Sequence, residues 1–149
     1  MVKKENIVGV EFLVSNNYCI ANRIIDQLEI GFTTYNFEVI IENCLIEHLQ
    51  IHSAWFKEGL IFKNNIIKMD IDYQMGGHNN SPIIIESNIF ESFFNFFDCH
   101  FEEKVIIRNN IFQKGTNLLG NVGTGFQNLF NNEIINENNL GNLYRNEYF

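Results

Sequence analysis

The sequence predicts an all-β protein, a single right-handed parallel β-helix of about six coils. Three observations carry this reading. One apolar–polar pattern recurs about every 22 residues, and small polar pairs, mostly asparagine, sit at the same place in each recurrence. Ile, Phe and Asn are abundant while proline occurs once, at Pro82. β-Branched and aromatic residues favour strands, asparagine favours turns, and neither favours helix. With 149 residues the chain is long enough for one domain with its own core.

Six segments align without gaps: FLVSNNYC (12–19), VIIENCLI (39–46), LIFKNNII (60–67), IIIESNIF (83–90), VIIRNNIF (105–112) and NLFNNEII (128–135). The shared form is three apolar residues, one polar or charged, two small polar, then two apolar. The first small polar residue is Asn16, Asn43, Asn64, Ser87, Asn109 or Asn132, giving steps of 27, 21, 23, 22 and 23. Such a step holds three short strands and three turns, and successive coils stack at about 4.8 Å by parallel hydrogen bonding. The step is not a multiple of five, which disfavours the pentapeptide solenoid. It also lacks the helical half of a leucine-rich repeat.

Asparagine suits a corner because it tolerates left-handed backbone angles and hydrogen-bonds locally, and stacked copies can bond to one another. The pattern of Ile61, Lys63, Asn64, Asn65 and Ile67 is fullest at 60–67 and 105–112. In it the chain resembles the repeat of pectate-lyase-like parallel β-helix proteins, with their apolar-x-Asn-Asn-x-apolar signature. The resemblance spans roughly residues 12–136 and implies the fold; a corner motif implies little about activity. Residues 1–149 are therefore read as one solenoid domain, with 1–11 and 137–149 as caps over the open ends.

Other columns share this register. Val14, Ile41, Phe62, Ile85, Ile107 and Phe130 are expected to stack inward, as are Cys19, Ile46, Ile67, Phe90, Phe112 and Ile135. Before the corner, Ser15, Glu42, Lys63, Glu86, Arg108 and Asn131 alternate in sign through four coils, and Glu47, Lys68 and Glu91 repeat the idea. The second half of each coil is less regular. Residues 76–82 read as a protruding turn, and 20–36 as a short helix or larger loop.

One column does not suit a solitary rod. Leu13, Ile40, Ile61, Ile84, Ile106 and Leu129 fall between inward positions and so point outward. An apolar stripe this deep calls for a cover: a terminus, a second copy forming a homodimer, or another protein. It is the primary candidate interaction surface.

The candidate ligand-binding residues are Trp55, Asp70, Asp72 and His78. The pectate-lyase resemblance raises polysaccharide chemistry, and Asp70 and Asp72 share a strand face where paired carboxylates could act. A second carboxylate cluster in register is missing, so a solvated edge is the simpler reading. His78 and His100, near Asp98 and Cys99, are ordinary loop histidines or a metal site. Cys99 and His100 are neighbours on a strand and so face opposite ways, a poor nucleophile pair. Gly120-x-x-Gly123-x-Gly125 is a tight corner rather than a phosphate loop, since no helix pattern comes after it. Phe93, Phe94, Phe96 and Phe97 offer a sugar platform or, more simply, core packing.

A net charge of −8 argues against a nucleic-acid partner and against docking on an anionic membrane. A DNA mimic needs unbroken carboxylate rows, and the columns alternate in sign. Cys19, Cys44 and Cys99 form no CxxC pair, which predicts reduced thiols, no structural zinc and a cytoplasmic location. The apolar stretch after MVKKEN is short and broken by Glu11, which does not make a secretion signal, and secretion stays open as the alternative to the cytoplasmic reading. No cofactor is expected. The function expected is a non-catalytic interaction module, self-associating or binding a protein partner as an immunity-type or scaffold protein. A carbohydrate-binding or polysaccharide-degrading protein is the alternative.

Overall fold

Short runs of β-branched and aromatic residues, broken at regular intervals by residues that accept left-handed angles, wind the chain into a parallel β-solenoid of about five turns. The structure is a computed structural model that describes residues 2–146. The first side holds six rungs: Cys19–Ala21, Val39–Glu42, Leu60–Lys63, Ile83–Glu86, Val105–Arg108 and Ile134–Glu137. These six rungs enclose five complete turns rather than the six coils expected. The second side stacks Lys3–Val8, Arg23–Glu29, Leu45–Gln50, Ile66–Ile67, Ile89–Phe90 and Ile111–Phe112. Its longer coils add Ile71–Gln74 and Phe94–Phe97. The third side pairs Thr34–Tyr35 with Trp55–Phe56, and His100–Phe101 with Leu129–Phe130.

The four middle blocks occupy the expected register, Val39, Leu60, Ile83 and Val105 lying side by side. The two outer blocks do not. The corner residues with left-handed φ are Asn22, Asn43, Asn64, Ser87, Asn109 and Asn138. Asn22 and Asn138 replace Asn16 and Asn132, so both outer corners lie six residues later than expected, and the steps become 21, 21, 23, 22 and 29. The first block departs from the repeat because an end coil has no neighbour beneath it. Its residues instead form the helix Val10–Ser15, with Leu13 fully buried and Val10 and Phe12 against the core. Such a lid covers strand edges that would otherwise template aggregation. The last step is long because exposed residues 122–126 form an outward loop, with Gly123 and Gly125 in left-handed conformations.

Val14 and Cys19 are consequently not core residues: Val14 is exposed on the helix, and Cys19 lies in line with the outward Ile40. Ile135 likewise joins the outward column beside Ile106, while Phe130 packs inward on the third side against Phe101. Ile20, Ile41, Phe62, Ile85 and Ile107 form the inward column of the first side. Segment 20–36 is strand on all three sides. Residues 76–82 do not protrude as a whole: Gly76, Gly77 and Asn79 are buried. At Gly77 (φ +94°) a Cβ would collide with the His100 carbonyl of the next coil.

The two small polar residues of each block divide the corner between them. The first takes the left-handed angle and faces solvent in most coils. The second turns inward and ties the coils. Asn65 accepts from the Cys44 N–H at 2.9 Å and donates to the Ile41 carbonyl at 2.9 Å. Asn88 and Asn110 repeat both bonds one coil further on each time. These asparagines are about 1% exposed, so their bonds are made away from water, where an unmade bond is costly.

Candidate functional site

The outward positions of the first side alternate with its core positions. Ile40, Ile61, Ile84 and Ile106 stand in register on successive rungs, extended by Cys19 at one end and Ile135 at the other. All six are half-buried. Leu13 and Leu129 do not belong to it. Leu13 is the buried plug of the N-terminal helix, and Leu129 lies on the third side opposite His100, 48% exposed.

A second outward aliphatic column lies beyond the sequence expectations. Ile24, Leu45, Ile66, Ile89, Ile111 and Leu140 are in register just past the corner. Ile24, Leu45, Ile66 and Ile111 are 36–38% exposed, more open than the first column. A signal for it exists: the residue after the second small polar one is apolar in every middle block, and alternation sends it outward. Val2, Arg23, Ile24, Leu45 and Ile66 line an open trough of about 360 Å³ here.

The described terminal segments run off the first column. Lys3–Val8 extends the second side, the helix closes one end, and residues 140–145 hydrogen-bond along 110–119. Beside the first column runs the charged one, Ala21, Glu42, Lys63, Glu86, Arg108 and Glu137. Arg108 and Glu86 pair at 3.3 Å, and in the parallel rib Lys68 and Glu91 pair at 3.0 Å. Exposed pairs of this kind contribute about 0–1 kcal/mol each. Their order along the rod matters more than their strength.

The structure brings Trp55 and His78 together and leaves Asp70 and Asp72 on the preceding side. Trp55 and His78 sit on the third side with ring centroids 4.4 Å apart, and Trp55 Nε1 donates to the Met75 carbonyl. His78 Nδ1 lies 3.5 Å from Glu102, and His100 lies next in line at 5.7 Å between centroids. Asp70 accepts from Ser92 Oγ and the Phe93 N–H, while Asp72 accepts from Gln74 and from Asn95 at 3.3 Å. Both carboxylates are thus bonded towards the following coil. Among the described residues no group of three or more His, Cys, Asp or Glu is placed to hold a metal.

Phe94 and Phe96 stack inside at 4.1 Å, Phe93 lies beneath Arg145, and Phe97 packs on Phe126, so the phenylalanine cluster is mainly core and flank. Cys99 points inward and donates to the Tyr73 carbonyl at 2.9 Å, while His100 points outward. Burial pushes the Cys99 thiol up to about 12 and raises that of Cys44 as well. Neither supplies a thiolate near neutral pH. Among the described residues no helix is long and apolar enough to cross a membrane.

The chain matches no known family model, no curated protein and no solved structure.

Proposed function

We propose that the chain is a non-catalytic protein-interaction module that makes contact through the outer face of its first side. The observation that supports this most is the unbroken column Ile40, Ile61, Ile84 and Ile106, held at strand spacing on a hydrogen-bonded frame. A contiguous outward apolar surface rimmed by charge is the usual mark of a protein contact. A frame that is ordered before binding also loses little conformational entropy on docking. A small inhibitory, immunity-type or scaffold protein of this size would work through such a face. The Asn-Asn corner blocks support kinship of the coil with the pectate-lyase-like type. That kinship lies in the corner, and Asp70 and Asp72 are each bonded to the following coil rather than to each other.

A photoreactive residue placed in turn at Ile84, Ile106, Gln27 and His48 tests the reading; the last two are exposed outward positions on the second side. A discrete protein adduct at Ile84 and Ile106, and not at the other two, is the expected result. Equal adduct yield at all four positions would contradict it. So would retention on a polysaccharide matrix that Trp55→Ala abolishes.

A further inference from the structure

Resting on that reading, we propose that the partner is a second copy of this chain, packed antiparallel across the first side. The charge order points to it. Along the rod the outward charged column reads Glu42, Lys63, Glu86 and Arg108. Consider a two-fold axis lying in the face, perpendicular to the rod, midway between the Lys63 and Glu86 rungs. It sets Lys63 opposite Glu86 of the second copy, and Glu42 opposite its Arg108.

An axis of this kind places every column opposite itself in reverse. Ile61 therefore meets Ile84, and Ile40 meets Ile106. In the column that leads into the strands, Glu38, Gly59, Pro82 and Lys104 are in line, so Glu38 meets Lys104. Like charges meet in none of these three columns. The axis also falls at the midpoint of the six-rung sheet, so the whole aliphatic column is covered. An axis on the Glu86 rung itself would instead set Lys63 against Arg108, at a cost that selects the first arrangement. Isologous two-fold contacts are the commonest way for identical chains to associate.

The face is narrow. Four strand residues by six rungs is about 13 Å by 24 Å, well below the roughly 800 Å² per partner of a stable complex. The dimer is therefore weak and reversible, and its measurement spans chain concentrations from about micromolar to about millimolar.

Sedimentation equilibrium on wild type, Lys63→Glu, Glu86→Lys and an equimolar mixture of the two variants tests the arrangement. Each variant alone sets like charges together at two places across the axis, and mixing restores opposite charges at both. The expected result is at least tenfold weaker association for each variant alone, and a heterodimer of wild-type strength in the mixture. Circular dichroism verifies that both variants are folded; if either is not, Lys63→Gln and Glu86→Gln replace them and are each expected to weaken the dimer. Variants that dimerise as tightly as wild type, or a mixture that forms no heterodimer, would overturn the antiparallel arrangement. Loss of the dimer in Ile84→Lys would still leave the first side as a contact surface. A wild type that stays monomeric across the range would overturn self-pairing, while an Ile84 adduct to a different protein would sustain the parent reading.

Discussion

The side-chain oxygen of Asn110 accepts two hydrogen bonds from Asn88, one from its backbone N–H at 2.9 Å and one from its side-chain amide at 3.0 Å. Asn88 in turn accepts from the Asn65 N–H and donates to the Phe62 carbonyl. The Asn88 side chain thus ties its own coil to the one before and the one after.

Asn88→Ala strands the Asn65 N–H in the interior and removes the side-chain bond to the Phe62 carbonyl, the stranded donor alone costing about 1–3 kcal/mol. A loss of about 3 kcal/mol in urea unfolding is expected. Asn64→Ala, at the exposed left-handed position, is expected to cost about 1 kcal/mol from backbone strain alone. Equal losses at the two positions would contradict this division of labour at the corner.

Leu13 and Leu129 separate the observed register from the simple repeat. Leu13 is fully buried at the end of the core and Leu129 is an exposed third-side residue. Leu13→Ala should cost about 2–5 kcal/mol, and Leu129→Ala should fall within about 0.5 kcal/mol of wild type. The same denaturation series measures both.

The middle of the solenoid is legible in the sequence, and its ends are not. Asn43, Asn64, Ser87 and Asn109 each have a coil on both sides, so the same physical demands recur and select the same residue types. At the ends those demands change. FLVSNNYC copies the pattern by composition, yet it forms a helical lid because nothing stacks beneath it. The second corner is hidden for another reason. Phe32, Ser53, Met75 and Asp98 all adopt left-handed φ there, but four different side chains leave no motif to read. Of the candidate surface, Ile40, Ile61, Ile84 and Ile106 are readable by alternation. The division of Trp55 and His78 from Asp70 and Asp72 depends on the Met75 corner, whose glycines read as a protruding turn at 76–82 rather than as a tight corner between two sides.

Gly77 tests how closely the coils approach on the third side. Gly77→Ala combines a left-handed backbone with a collision against the His100 carbonyl and should cost about 3 kcal/mol. Gly123→Ala has open space around it and should cost only about 1 kcal/mol, from backbone strain. Thermal unfolding of the two variants gives the comparison.

Alkaline pH should open the core. Burial raises Cys99 from 9.0 to about 12 and Tyr35 from 10.0 to about 12. Both groups are held neutral in the folded state, so their contribution is complete below the unfolded values. It declines from about pH 9 and is lost as pH rises through about 12. In Cys19→Ser, which keeps only the two buried thiols, thiolate absorbance should then appear together with loss of the β-sheet circular dichroism signal. Thiolate formed on that chain while it is still fully folded near pH 9 would contradict the buried placement of Cys99.

The solution mass of wild type and Ile84→Lys as a function of concentration tests most directly whether the first side is a contact surface. Wild type is expected to rise reversibly from 17.5 kDa towards twice that value, while folded Ile84→Lys stays at 17.5 kDa. Two identical dimeric curves would contradict the assignment of this face, and a wild type that stays at 17.5 kDa throughout would overturn self-pairing.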